Sequence, residues 1–193
     1  MIRPIAAALC AASISGLAIA QHLTEGASSS RVRVVIYEDL ACSDCAAFRT
    51  MLDQQLLPRY AAKVVFEHRD FPLPKHPWAR KAAIAARYFE KTKPGLGVQS
   101  RQYFLSNLSQ ITVENFNKRV SSFASEHGLD PAKALAALND PDLAAAVEKD
   151  YQEGLARGIA HTPTVLVNAT RFIETFAFQD VAKSIEDQLT SNR

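Results

Sequence analysis

Hydrophobic positions along the chain follow two periods, and each change of period marks an element. Arg31 to Tyr37 (RVRVVIY) is β-branched and flanked by polar residues, which predicts a mostly buried strand. A helical period takes over at once, with Cys45, Phe48, Leu52, Gln55 and Leu56 at three- and four-residue steps until Pro58, where the helix is predicted to end. Lys63 to Arg69 (KVVFEHR) predicts a second strand. Strand, helix and strand within about forty residues make a βαβ unit, which requires a parallel pair and a right-handed crossover. Ahead of it, residues 21–30 (QHLTEGASSS) show no period and read as a linker or a frayed start.

The middle of the chain is helical. Trp78 to Lys91 places Ala79, Ala82, Ala83, Ala86 and Phe89 on one face, with Trp78 as a core anchor. Thr112 is positioned to cap a run holding Phe116, Val120 and Phe123, and Gly128 to stop it. Asp130-Pro131 and Asp140-Pro141 each join an N-cap residue to a proline at the first helical position. They start helices that bury Leu135 and Leu138, then Leu143, Val147 and Tyr151. Residues 73–157 thus read as a four-helix insertion, with 92–104 (TKPGLGVQSRQYF) a loop between helices. After Gly158 the strand chemistry returns in Thr164 to Val167, a turn at Asn168-Ala169-Thr170, and Phe172 to Phe176, an antiparallel hairpin. A last helix carries Val181, Ile185 and Leu189 on one face. The order is βαβ, helical insertion, ββα, an α/β chain.

The first twenty residues have a separate task. Arg3 supplies a positive start, Ile5 to Ile19 is apolar and Ala-rich, and Ala18-Ile19-Ala20 is a small-x-small cleavage signal. Export with cleavage after Ala20 is expected, because the stretch is short for a membrane span and is interrupted by Ser13, Ser15 and Gly16. Cys10 leaves with this leader, being preceded by Leu9 and not by the small residue of a lipoprotein signal. A chain of 193 residues is about one domain, or one domain with a sizeable insertion, by length. With 48% hydrophobic and 22% charged residues the chain is neither disordered nor a membrane bundle. Its net charge of +2, with the basic residues scattered, excludes an electrostatic footprint for nucleic acid.

Two cysteines remain, Cys42 and Cys45, and an even number in an exported chain argues for a disulfide. As a staple it does little: closing a loop of four residues gives about 2 kcal/mol, against about 4.7 for a hundred-residue loop. Zinc needs four ligands as a rule, and no second CxxC or paired histidine motif is present. Neither a metal nor a cofactor is therefore expected. Cys42 falls at the junction of the first strand and first helix, where free backbone N–H groups and the helix dipole favour thiolate over thiol. Cys45, one turn inward beside Phe48, is shielded and suited to resolve a mixed disulfide. A second constellation is Gly158-Ile-Ala-His161-Thr162-Pro163-Thr164. If the Thr162–Pro163 bond is cis, Thr162's backbone is free to pair with an extended substrate segment beside Cys42.

These segments resemble the DsbA-like thiol-disulfide oxidoreductases of the thioredoxin-like superfamily. The resemblance covers nearly everything after the leader. It rests on Asp39-Leu40-Ala41-Cys42-Ser43-Asp44-Cys45 after a strand, Phe71-Pro72-Leu73, Gly128-Leu129-Asp130, and Thr162-Pro163-Thr164 with its hairpin. It implies a thioredoxin fold, a central mixed sheet with flanking helices, formed by 21–72 and 158–193 and interrupted by a helical domain at 73–157. Cys42 would be the nucleophile, Cys45 the resolving cysteine, and Pro163 cis. The implied activity is dithiol–disulfide exchange with unfolded or exported proteins outside the cytoplasm, in a periplasm or equivalent, with re-oxidation by a membrane partner. The chain departs from the pattern in three places. Ser43-Asp44 stands where a proline and an aromatic or histidine are usual, and the Asp44 charge should raise the Cys42 pKa relative to a histidine there. Ile36 stands where relatives carry a buried acid that moves protons to and from the resolving cysteine; Glu38 or Asp39 could substitute, although Asp39 could equally cap the helix. His161 stands before Thr-Pro in place of glycine and, as a cation, should oppose Asp44. The other histidines, His68, His76 and His127, read as strand-end, loop and helix-end residues without a catalytic part. Oxidase activity is the first expectation and a reductase or isomerase the second, although the short lead-in has no room for a dimerisation domain and favours a monomer. A third is a binding or chaperone module with an inert disulfide.

Overall fold

The computed structural model describes residues 22–191. The expected leader, its cleavage point and Cys10 lie outside the described residues. Five strands form one mixed sheet in the order β1-β3-β2-β4-β5: β1 (Thr24–Gly26), β2 (Arg33–Glu38), β3 (Val65–Asp70), β4 (Thr164–Val167) and β5 (Thr170–Ile173). Strands β2 and β3 run parallel, as the βαβ reading requires, and the other pairs are antiparallel. The lead-in is not a frayed start, because Thr24–Gly26 pairs with Val65–Glu67 at the sheet edge. Three polar residues show no period of two, so this strand is set by its partners. Glu25 is bound to Arg49 and His68, and Gly26 has φ +85 with its α-carbon so close to Val64 that a Cβ would meet that carbonyl at 2.4 Å.

Pro58 does not end the first helix. The helix α1 (Ser43–Met51) passes through a wide π turn, Leu52–Leu56, into α2 (Leu57–Tyr60). Proline lacks the amide of a regular turn and its ring crowds the carbonyl four residues back; widening the preceding turn relieves both. Leu52 and Leu56 stay buried with Phe48 against Val34, Ile36, Phe66, Val165 and Val167 of the sheet. The helix α8 (Phe178–Ser191) adds Val181 and Ile185 to the same face.

Between β3 and β4 lie five α-helices where four were expected: α3 (Ala79–Thr92), α4 (Leu96–Ser106), α5 (Phe116–Glu126), α6 (Pro131–Ala137) and α7 (Pro141–Ala156). The additional one, α4, occupies the segment read as a loop. Its buried face carries Ser100 and Arg101 beside Leu96, Phe104 and Leu105, so it has no apolar stripe for a sequence pattern to find. Asp130 and Asp140 cap α6 and α7 as expected, each accepting two backbone N–H bonds. Thr112 caps no helix. It exchanges hydrogen bonds with Asn115, the residue at the N-cap of α5, and so closes the turn before that helix. Gly128, at φ +73, terminates α5 while the Leu129 amide returns to the Ala124 carbonyl. Trp78 anchors the largest apolar cluster, its ring stacked 5.8 Å from Phe116, and the same cluster contains Cys42 and Cys45. No helix among the described residues is long and apolar enough to cross a membrane.

Helix α7 reaches the opposite face of the sheet at Gly154, where an added Cβ would lie 2.6 Å from the Phe71 ring and 3.1 Å from Tyr37. Alanine is normally the better helix residue by about 1 kcal/mol. Gly154→Ala is nevertheless expected to destabilise the protein by roughly 1–3 kcal/mol through overpacking, read as a lowered urea midpoint; an unchanged or raised midpoint would show that Phe71 moves aside freely.

Candidate active site

Strand β2 stops at Glu38 and α1 starts at Ser43, so the intervening residues form a tight connection ending at Cys42. Cys42 is the N-cap residue, with φ −100 and ψ 130, and no side chain caps the helix. Its sulfur therefore occupies the place where the first amides of α1 lack intrahelical partners. Cys42 is 7% exposed and Cys45 fully buried, both as free thiols. The Cys42 pKa is lowered to about 6. The largest cause is a hydrogen bond from the Cys45 thiol, partly opposed by burial, with further help from the Thr162 side chain and the Cys45 and Asp44 amides. Cys45 moves the other way: burial first, then its bond to Cys42 and the Cys42 charge, raise it well above the ordinary thiol value. One sulfur is thus prepared as a thiolate near neutral pH while its neighbour is held as a thiol.

The loop before β4 closes over this pair. The Thr162–Pro163 bond is cis, and the Cys42 thiol donates to the Thr162 carbonyl across 3.4 Å. In the dithiol form, that carbonyl is therefore met by Cys42 and is not open to a substrate segment. The loop is fixed from behind by β5 and its turn, since the Glu174 amide donates to the Pro163 carbonyl at 2.8 Å. Thr162 Oγ1 is buried without a hydrogen-bond partner among the described residues, and its hydroxyl helps to lower the Cys42 pKa.

Cys42, Cys45, Thr162 and Pro163 are thus brought together. Ser43 and Asp44 are exposed on the first turn of α1, and Asp44 reaches Cys42 through its backbone amide. His161 turns to Glu174, 2.9 Å from Nδ1, and is 59% exposed. The sequence offers Glu38 or Asp39 in place of the buried acid, and Asp39 alternatively as a helix cap; the structure gives α1 no side-chain cap and supplies the partners of both. The Asp39 carboxylate is buried, accepting from the Ala41 and Leu73 amides at 2.7 Å each, with His76 Nδ1 at 2.8 Å. It ties the cysteine loop to the Phe71-Pro72-Leu73 segment, and burial raises its pKa against those bonds. The Asp39 amide lies 3.4 Å from Cys45 Sγ. Glu38 and His68 are likewise buried, and His68 sits inside β3 rather than at a strand end. Apart from the Ala41 bond, these contacts join loops and strands distant in sequence, so no local pattern announces them. No group of three His, Cys, Asp or Glu among the described residues could hold a metal ion.

A sheet with parallel and antiparallel pairs, a dithiol at a strand–helix junction and a cis-proline loop against it define a thioredoxin-type thiol site. A family model described as thioredoxin matches residues 19–187, and the chain belongs to that family. Among curated proteins none matches it. Among solved structures it is similar to BdbD from Bacillus subtilis, with a TM-score of 0.78 at 22% identity over 88% of this chain and 93% of that one. It is also similar to α-DsbA2 from Wolbachia pipientis (TM-score 0.73, 17% identity, 86% and 87% covered). The catalytic domain of Proteus mirabilis ScsC gives a TM-score of 0.72 at 16% identity, covering 88% of this chain and 89% of that one. The shared fold is the DsbA-type one.

Removing the Thr162 hydroxyl should weaken the thiolate. Thr162→Val is expected to raise the Cys42 pKa above about 6, seen in a pH titration of thiolate absorbance; an unmoved titration would remove Thr162 from the site. The depressed pKa also links redox state to stability. Cys42 ionises in the native state at about 6, from an ordinary value of 9.0, so the thiolate's contribution is complete above the unfolded value and vanishes as pH falls through the native one. The dithiol protein should gain stability relative to the Cys42→Ala variant as pH rises from about 6 to about 9, measured by thermal midpoints across that range.

Proposed function

We propose that the protein is an extracytoplasmic thiol-disulfide oxidoreductase that oxidises unfolded or exported proteins, Cys42 being the nucleophilic and Cys45 the resolving position. The observation that carries this reading is the opposition of the two thiols, Cys42 lowered to about 6 and Cys45 raised by burial within one helical turn. In the oxidised state a client thiolate attacks Cys42 Sγ, the Cys42–Cys45 bond breaks, and its electron pair passes to Cys45 Sγ, which takes up a proton. A second client thiolate then attacks the client sulfur of the mixed disulfide, and Cys42 leaves as a thiolate. Client dithiol becomes disulfide, and the protein's disulfide becomes one thiolate and one thiol. A leaving group with a low pKa departs fast, and a stabilised thiolate makes the protein's disulfide oxidising.

Family membership supports thiol chemistry, and the similar α-DsbA2 is a thiol-disulfide exchange protein. The positively started, Ala-rich leader supports export, and a membrane partner would return the dithiol to the disulfide. Thr162 and Pro163 border the sulfur that clients reach. Ser43, Asp44 and His161 are the proposed tuning residues, and 73–157 the helical domain inserted between the halves of the thioredoxin-like unit.

The division of labour is testable by trapping. Cys45→Ala, incubated with an unfolded client that carries a disulfide, should accumulate mixed disulfides as Cys42 attacks that bond and releases the other client thiolate, resolved on non-reducing gels, whereas Cys42→Ala should accumulate none; equal trapping would reverse or abolish the assignment. Asp44→Asn, which removes a charge near the thiolate with little change of shape, should lower the Cys42 pKa further. A pKa equal to that of the parent would take Asp44 out of the tuning set.

A further inference from the structure

One face of the sheet is covered by α1 and α8, whereas only half of the other face is covered. On β2 the side chains of Arg33, Val35 and Tyr37 point to that second face by alternation. The strand register sets Glu67 of β3 and Leu166 of β4 on either side of Val35, and Arg69 of β3 beside Tyr37. Helix α7 packs over the Tyr37 end, where Tyr37, Phe71, Ile159 and Leu166 form an apolar cluster, but the helix stops at Ala156. Beyond its end lies an open cavity of about 450 Å³, with Arg33 at one end and Arg69 and Arg157 at the other. None of the residues that line it belongs to the cysteine site.

The floor of this cavity is apolar and its rim is cationic. Val35 and Leu166 lie side by side in the middle. Three guanidiniums, those of Arg33, Arg69 and Arg157, stand against one lining carboxylate, Glu67, which is ion-paired to both Arg33 and Arg69. Glu153 adds a second carboxylate, bonded to Arg69 Nη1 at 2.8 Å and to Arg157 Nη2 at 3.2 Å. Asp150 approaches Arg69 at 3.6 Å but is held by Arg87 at 2.6 Å. One positive charge is therefore left over. Arg33 and Arg157 each use a single terminal nitrogen in these pairs, and their side chains are 43% and 55% exposed. Tyr37 supplies an independent sign of a ligand. It is 1% exposed and lines the cavity, yet its hydroxyl has no hydrogen-bond partner among the described residues. A buried phenol normally has one. Burial raises the Tyr37 pKa, so the hydroxyl stays a donor, and the charges it feels are Glu153, Arg157, Arg69 and Asp150.

We infer that the cavity binds a small organic monocarboxylate with an apolar body, its carboxylate meeting Arg157 and the Tyr37 hydroxyl and its body lying on Val35 and Leu166. The free edge of a guanidinium matches a carboxylate in shape and in charge. A single surplus positive charge suits a monoanion, whereas a phosphate dianion would add uncompensated negative charge beside Glu67 and Glu153. The volume falls within the range of small-molecule sites, about 300–1,000 Å³. No bond is made or broken at the cavity, so binding is independent of the thiol-exchange reading.

The test is a titration of the 15N-labelled dithiol protein with benzoate, followed by amide chemical shifts. Saturable shifts are expected along Arg33 to Tyr37 and Leu166 to Asn168. Benzamide, the same body without the charge, and inorganic phosphate, charge without the body, should each bind at least about tenfold more weakly. Tyr37→Phe keeps the ring against Phe71 and removes the hydroxyl, and it should weaken benzoate by about fivefold. Arg157→Gln should weaken it at least as much, and lying half exposed it leaves the interior intact even if Tyr37→Phe disturbs it. The dispersion of the amide spectrum reports in the same experiment that each variant is folded. Shifts that grow without saturating, benzamide or phosphate binding as tightly as benzoate, or a benzoate affinity equal to the parent's in either folded variant would overturn the inference.

Discussion

A buried file of alternating charges holds this molecule in register. It runs Asp53, Arg49, Glu25, His68, Glu38, Arg101, Asp70, Arg87 and Asp150, each member bonded to the next. Charges removed from water are costly, and deleting one partner of a buried pair strands the other at a cost of about 3–5 kcal/mol. The arrangement is therefore stable only when every element that contributes a member is in place. Strands β1, β2 and β3 contribute, together with α1 and the turn after it, and so do α3, α4 and α7 from between β3 and β4. Apolar contacts tolerate sliding by fractions of an ångström, but hydrogen-bonded ions do not. The file thus sets where the helical segment lies on the sheet, and with it the wall behind the cysteines.

The thiol pair takes its asymmetry from that setting. Cys42 is at the last residue before the helix, open to backbone amides and to the Thr162 side chain, and all of these favour its thiolate. Cys45 is three residues on, within the apolar cluster built by Trp78, Phe89 and Phe104, and beside a negative interior. Both thiols lie on the same short helix. Their difference arises from which neighbours the fold presents to each, with Asp39 fixing the loop by its two amide bonds and His76.

What was legible in the sequence follows from how far each signal travels along the chain. The parallel βαβ unit, the last helix, the two Asp-Pro caps and the dithiol at the helix start depend on residues a few positions apart, and the structure places them as the pattern predicts; the hairpin also forms, but its second strand is Thr170–Ile173 and not Phe172–Phe176, because Thr170 already pairs with Val167. The strand β1 and the helix α4 were missed for a common reason. Both are held by ions, Glu25 in one and Arg101 in the other, so neither carries the apolar period that betrays an element. Pro58 misled because proline argues locally for a helix end, whereas the buried leucines on either side favour a widened turn. The partner of the His161 ring, Glu174, lies thirteen positions on and is likewise invisible to local spacing. The burial of Glu38, His68 and Asp39 depends on contacts across strands and loops, which no spacing along the chain encodes.

The most direct test of the redox role is the equilibrium of the Cys42–Cys45 pair with glutathione, which gives its reduction potential. A Cys42 thiolate stabilised to a pKa of about 6 favours the dithiol form and makes the disulfide oxidising. The expected potential lies between that of thioredoxin, about −270 mV, and that of DsbA, about −120 mV. A value below about −300 mV, the range of structural disulfides, would mean that the pair is an inert bond and would contradict an exchange function.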